Sequence, residues 1–253
     1  MKKIIGVIPA RYSSSRFPGK PLSDIYGKPM IWWVYKQAEQ VSRFDRLVVA
    51  TDDDRIADTC SLYNIDHVIT SNQHPTGSDR VAEVSKKIQG DIYIVIFGDE
   101  PMISPLDIDL MIDSMLENPN DDASMLVTPY KNAVDVVNNT TVKVAMNNDN
   151  EIIFMSRCPI PYPKGRLDYT HYKHVGVYGY TNEALDVFRS NKKDKLEEIE
   201  DVETLRLLEK HKIVRGVLTS TDAMSVDTEK DLERIKSEIS KNLKMGMYPF
   251  YEN

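Results

Sequence analysis

Three cations, Arg11, Arg16 and Lys20, crowd the first loop of the chain, with Ser13, Ser14, Ser15 and Gly19 between them. Arginine presents a planar fork of donors and lysine a compact point charge, while serine hydroxyls and a glycine-rich backbone add neutral donors. Together they suit a polyanion with several oxygens, such as a triphosphate. A second group with chemical potential is Phe97-Gly98-Asp99-Glu100-Pro101, which ends an apolar run. A carboxylate at Asp99 would face the same crevice as the cationic loop and could hold Mg²⁺ against phosphate oxygens. Ser225-Val226-Asp227-Thr228 supplies another acid just before the last predicted helix. Asp227 or Thr228 either caps that helix or, for Asp227, joins Asp99 as a second ligand of one cation.

Thr76-Gly77-Ser78-Asp79-Arg80 lies between a predicted strand and a predicted helix. Gly77 permits close backbone approach to a ligand and Ser78 can cap the helix, while Arg80 either reaches a base or phosphate or pairs with Asp79. In the second half, Arg157, His174, Tyr178, Glu200 and Glu203 are polar residues at predicted strand ends or on a helix. Arg157 suits a substrate carboxylate through a bidentate pair. Lys143 reads as an outward-facing strand charge, and Tyr12, Trp32 and Trp33 read as packing groups.

The elements that must position these residues alternate in the first half. Ile4 to Ile8 is a near-continuous apolar run, as for a strand buried on both faces. Predicted helices follow over Met30–Val41, Asp54–Tyr63, Ser78–Lys87 and, capped by Ser104 and Asp107, up to Glu117. Predicted strands lie at Arg46–Thr51, Asp66–Ile69 and Ile92–Phe97. This βαβα order argues for a parallel sheet covered by helices, in which ligands bind beyond the carboxyl ends of the strands. After Met125 the pattern changes to strands joined by loops: Met125–Tyr130, Val142–Met146, Ile152–Ser156 and Val175–Tyr180, with a hairpin turn at Asn147–Asn150. Helices at Asn182–Arg189 and Asp201–Lys210, a strand at Val214–Leu218 and a final amphipathic helix opened by Thr228 complete the chain. The expectation is one α/β domain over residues 1–253, with a mixed-sheet subregion near 125–195.

The 253 residues are 41% hydrophobic, ample for a packed core, and carry a net charge of −7, which argues against nucleic acid or an anionic membrane as partner. The basic first loop is therefore a local feature. Two cysteines, Cys60 and Cys158, form no disulfide framework and read as small apolar filler in a reducing cytosol. No apolar run approaches a membrane span, and no signal peptide is evident, so the expected location is the cytoplasm.

These motifs together resemble one known family, the CMP-Kdo synthetases (3-deoxy-manno-octulosonate cytidylyltransferases). The resemblance rests on Pro9 to Leu22, on Gly27-Lys28-Pro29-Met30-Ile31, on Ala50-Thr51-Asp52 and on His74 to Arg80 with Ala82-Glu83. It continues through Gly98 to Ile103, Ser156-Arg157, His174 to Tyr180, Glu200 to Arg206 and Val226-Asp227-Thr228, and so spans nearly the whole chain. It implies a Rossmann-like nucleotidyltransferase fold, CTP as donor, a sugar-acid acceptor, Mg²⁺ and a homodimer formed through the mixed-sheet region. By the resemblance, Arg11, Ser13, Ser14, Arg16 and Lys20 hold the triphosphate, Lys20 and Arg16 stabilise charge on the leaving pyrophosphate, and Pro9, Ala10, Thr76, Gly77, Ser78 and Arg80 surround the cytidine. Asp99 and Asp227 hold the metal, and Arg157, His174, Tyr178, Glu200 and Glu203 contact the acceptor.

Two positions depart from the family pattern: Phe97 and Thr204 stand where many members carry glutamine. Both belong to the acceptor side, where a phenyl ring in place of an amide removes hydrogen bonds a hydroxyl-rich substrate would use. An amino-Kdo, a nonulosonic acid or a phosphonate is the alternative acceptor. A nucleotide-sugar glycosyltransferase would need a metal motif such as Asp52-Asp53-Asp54, which reads instead as the cap of a helix at Asp54. A silent nucleotide-binding module is a third reading.

Overall fold

The computed structural model describes residues 2–13, 17–165, 168–190, 192–221 and 224–251. The expectations on Ser14, Ser15 and Arg16 lie outside the described residues. In chain order the elements are β1 (Ile4–Ala10), β2 (Asp24–Ile25), β3 (Lys28–Pro29), α1 (Met30–Ala38), β4 (Arg46–Thr51), α2 (Asp54–Leu62), β5 (His67–Ile69), α3 (Gly77–Lys87), β6 (Ile92–Ile96) and α4 (Pro105–Glu117). They continue as β7 (Ala123–Pro129), β8 (Lys143–Met146), β9 (Ile152–Ser156), β10 (Tyr172–Thr181), α5 (Asn182–Phe188), α6 (Lys195–Glu200), α7 (Leu205–Glu209), β11 (Val214–Leu218) and α8 (Glu229–Lys244).

The main sheet has the strand order β11-β7-β10-β6-β1-β4-β5. Only β10 runs against its neighbours β6 and β7; the other pairings along this path are parallel. The β8–β9 hairpin hangs from β10. The expected mixed-sheet stretch is thus partly central: β7 and β10 lie on the main path of the nine-stranded sheet, and the β8–β9 hairpin branches from it at β10.

The continuous apolar run in β1 has a direct cause. Successive strand side chains point to opposite faces, and both faces are covered. Ile4 and Ile8 pack in one core with residues of α1, α4 and α8, while Ile5 and Val7 pack in the other with residues of α3 and α5. Helix α1 buries both indoles, and Trp33 donates its Nε1–H to the Ile25 carbonyl at 2.9 Å. The tail returns to cover it, with Tyr251 stacked on Trp33 at a ring separation of 5.1 Å.

Several local expectations are corrected. Thr76, not Ser78, caps α3: its hydroxyl accepts from the Asp79 N–H, and the Asp79 carboxylate accepts from the Thr76 N–H. Asp53 caps α2, as the Asp52–Asp54 run implied, whereas Asp107 leaves the capping of α4 to Ser104 and instead accepts a hydrogen bond from the Thr219 hydroxyl at 2.6 Å. Lys143 is not an outward charge. It is fully buried, and its ammonium donates to the carbonyls of Asn138, Thr141 and Arg157. Three carbonyl acceptors replace the water it loses, although desolvation still lowers its pKa. Cys60 is buried as expected, but Cys158 is exposed. The segment before Asp201 holds a further helix, α6, and only Leu205–Glu209 of the predicted Asp201–Lys210 helix forms.

Candidate active site

The carboxyl ends of β1 and β6 lie side by side because the two strands pair directly. Pro9, Ala10 and Arg11 leave β1 there, and Phe97, Gly98 and Asp99 leave β6. Thr76 and Gly77 enter from the start of α3. Arg157 follows β9, His174 and Tyr178 project from β10, Glu203 lies between α6 and α7, and Asp227 precedes α8. All of these residues, with Lys20 and Arg80, line one cavity of about 390 Å³. A neighbouring cavity of about 650 Å³ shares Phe97, Asp99, Thr140, His174 and Asp227 with it, so these residues mark the boundary between two compartments.

The first loop turns back at Gly19, whose φ of +73° places it in the left-handed region that glycine adopts without penalty. Its N–H donates to the Tyr12 carbonyl at 2.9 Å, and a side chain here would also press on the Tyr12 ring. That turn delivers Lys20 to the cleft. Its ammonium is held by an Asp99 carboxylate oxygen at 2.7 Å and by the Val226 carbonyl at 2.8 Å. The Val226 N–H in turn donates to the Asp99 carbonyl at 2.9 Å. Three distant segments therefore meet at one point, with Asp99 and Asp227 flanking it.

On the nucleotide side, Gly77 lies close under Phe97 and Pro9; a Cβ there would sit 3.3 Å from the Phe97 ring. Arg80 pairs with Asp52 at 2.9 Å and with the Thr70 hydroxyl, not with Asp79. Ser13 is exposed and does not line the cavity. Ser78 is set back from it: its hydroxyl donates to Glu203 at 2.8 Å and contacts the Tyr180 hydroxyl at 2.9 Å. Burial pushes the Glu203 carboxyl above its ordinary pKa, against the hydrogen bonds it receives from Ser78.

On the acceptor side, burial holds the Tyr178 phenol well above its usual pKa and drives His174 down to about 4. At neutral pH the phenol keeps its proton and the imidazole is uncharged, and the hydroxyl and His174 Nδ1 share a hydrogen bond at 2.9 Å. The Phe97 ring meets Tyr178 edge-on at a centroid distance of 5.0 Å. Arg157 donates to the carbonyls of Glu200 (2.7 Å) and Asp201 (3.0 Å), which fixes its guanidinium at the cavity wall. Glu200 is set back: its carboxylate accepts from the Ser156 hydroxyl at 2.7 Å and the Arg157 N–H at 2.9 Å. Sequence reasoning missed Thr140, Val142, Lys193 and Glu197, to which no motif pointed; they complete the wall together with Asp201 and Val202 of the Glu200 to Arg206 segment.

A family model described as cytidylyltransferase matches residues 5–214. The chain is 37% identical over 243 residues to the 3-deoxy-manno-octulosonate cytidylyltransferase of Escherichia coli, covering 96% of this chain and 98% of that one. It is 40% identical to the protein of that name from Chlorobium phaeobacteroides, over 93% and 96% of the two chains. Its fold matches a solved CMP:2-keto-3-deoxy-manno-octonic acid synthetase complexed with CTP, with a TM-score of 0.90 at 37% identity, over 95% of this chain and 99% of that one.

Proposed function

The chain belongs to the cytidylyltransferase family, and we propose that it joins CTP to 3-deoxy-manno-octulosonate, giving the CMP-sugar and pyrophosphate. The observation that carries this reading is the meeting of Lys20, Asp99 and the segment leading to Asp227 at the boundary between two cavities. A nucleotide triphosphate on one side and an acceptor hydroxyl on the other would both reach that point.

In the reaction, the anomeric hydroxyl oxygen of the acceptor bonds to the α-phosphorus of CTP, the bond from that phosphorus to the bridging oxygen of pyrophosphate breaks, and the hydroxyl proton is lost. The protein's task is positioning and charge neutralisation. Lys20 is held by two acceptors before substrate arrives, so its charge is aimed at the phosphates without reorganisation. Arg11 lines the same wall and adds to the field. Thr76 and Gly77 bring the positive end of α3, an eleven-residue helix, to the cavity. Arg157 offers a fixed guanidinium to the acceptor carboxylate, and His174 and Tyr178 present a polar edge to its hydroxyls.

Asp99 and Asp227 fit a divalent cation. Both are carboxylates on the walls of the two cavities, and the hydrogen bond from the Val226 N–H to the Asp99 carbonyl ties their segments together. Mg²⁺ prefers one or two carboxylates with the remaining positions filled by phosphate oxygens and water. When bound it supplies Lewis-acid neutralisation of phosphate charge. A homodimer and a cytoplasmic location accompany this reading. Among the described residues no helix is long and apolar enough to cross a membrane.

The test is pyrophosphate release from CTP and Mg²⁺ against a panel of 2-keto-3-deoxy sugar acids. Rapid release with 3-deoxy-manno-octulosonate supports the reading; release with no acid in the panel overturns it.

A further inference from the structure

Arg206 is a large, fully buried cation that the reaction does not use. Its guanidinium grips two buried carboxylates at once. It reaches Asp79 at 2.6 and 3.2 Å, and Glu197 at 2.5 and 2.7 Å. The Phe188 ring covers its face at 4.8 Å. One side of this triad ends in the nucleotide wall: the Asp79 carboxylate that Arg206 holds also accepts from the N–H of Thr76 at 3.1 Å and from its hydroxyl at 2.5 Å. The other side ends in α6, where Glu197 itself lines the cavity and the chain runs on to Asp201, Val202 and Glu203.

We propose that Arg206 is a positioning residue for CTP: through Asp79 and Glu197 it pins the Thr76–Ser78 backbone against the α6–α7 wall and so sets the width of the nucleotide compartment. The geometry favours this over a plain stabilising ion pair. A lone Asp79 would hold Thr76 by the capping box alone, and α3 could then shift relative to α6. The planar fork of Arg206 couples the two elements in a fixed direction, which a lysine cannot reproduce because it offers a point charge and no bidentate geometry. Glu203 adds a second tie, from the same wall to the N–H and hydroxyl of Ser78. Of the acceptor groups, His174 and Tyr178 make none of these contacts and Arg157 meets this wall only at Glu200 and Asp201, so losses should fall mainly on the nucleotide.

The inference rests on CTP as the nucleotide, and the experiment separates the two. Wild type, Arg206→Lys and Glu197→Gln are compared by amide hydrogen exchange of the ligand-free proteins and by steady-state kinetics. In Arg206→Lys, exchange over residues 76–80 should rise about tenfold while β1 and β6 keep their protection. The KM for CTP should rise about tenfold, with kcat and the acceptor KM changed no more than about threefold. Glu197→Gln should move both readouts the same way by about threefold, and it decides the matter if Arg206→Lys does not fold. Unchanged exchange at 76–80, or an equal loss in every kinetic parameter that tracks lost thermal stability, overturns the proposal. A wild-type protein that does not turn over CTP would overturn the functional reading alone, since the exchange comparison still decides the positioning role.

Discussion

The ammonium nitrogen of Lys20 lies 2.7 Å from a carboxylate oxygen of Asp99, across 79 residues of chain. One belongs to the cationic first loop and the other to the acidic end of β6. Their contact gives the loop cation a fixed position and the acid a counter-charge, in a cleft where solvent screening is reduced.

Replacing Asp99 by asparagine keeps the shape of the side chain and removes its charge. Pyrophosphate release should fall by about 100-fold or more, while circular dichroism and the melting temperature stay near wild type. Near-wild-type turnover would remove Asp99 from both the metal site and the chemistry.

Lys20→Ala removes the preorganised cation and leaves Asp99 facing the triphosphate without compensation. A fall in kcat of about 100-fold or more is expected, with the acceptor KM nearly constant. A variant that changed only the acceptor KM would place Lys20 on the wrong side of the cleft.

Phe97 touches Tyr178 and lines both cavities. Phe97→Gln should alter kcat/KM for the acceptor by about tenfold or more, because it exchanges apolar contact for a hydrogen-bonding amide. The KM for CTP should stay within about threefold. A selective loss of CTP affinity would contradict the assignment of this wall to the acceptor.

Glu83 ties the 71–74 loop beside the cavity to α3. It accepts from the Ser71 N–H at 2.8 Å and meets His74 at 2.5 Å and Lys87 at 2.7 Å. Burial alone would raise its pKa, but these partners outweigh burial and bring it to about 2, from an ordinary 4.5. The unfolded chain therefore takes up this proton at higher pH than the folded protein. The stability contributed is complete above pH 4.5 and is lost as pH falls towards about 2. Urea midpoints measured between these limits should fall less steeply for Glu83→Gln than for wild type; parallel slopes would refute the linkage.

Burial pushes the Cys60 thiol up to about 12, whereas Cys158 is exposed. A thiol reagent at neutral pH should modify Cys158 rapidly and Cys60 only on unfolding. Cys158→Ser should abolish the fast phase, and fast labelling that survives it would show that Cys60 is reached by local opening.

Much of this protein was legible in the sequence because the relevant physics is local. Doubly buried strands appear as apolar runs, so β1, β4 and β6 could be read directly from residues such as Ile4 to Ile8. A capping box needs only four neighbouring positions, so Thr228 with Asp231 marked the start of α8. Strand ends carrying Arg11 and Asp99 indicated where a ligand site would form, because parallel sheets collect their loops at one edge. Tertiary structure alone decided which long-range partners those residues found. No spacing foretold that Lys143 would bury itself among three carbonyls, that Arg80 would turn to Asp52, or that Ser78 would face Glu203 and not the cavity. The Asp79–Arg206–Glu197 triad was equally invisible, since its energy exists only when water is excluded and all three charges meet. Periodicity and caps record what a segment does with its own neighbours; the pairing of buried charges is settled by packing, where each polar group must find a partner among elements distant in sequence.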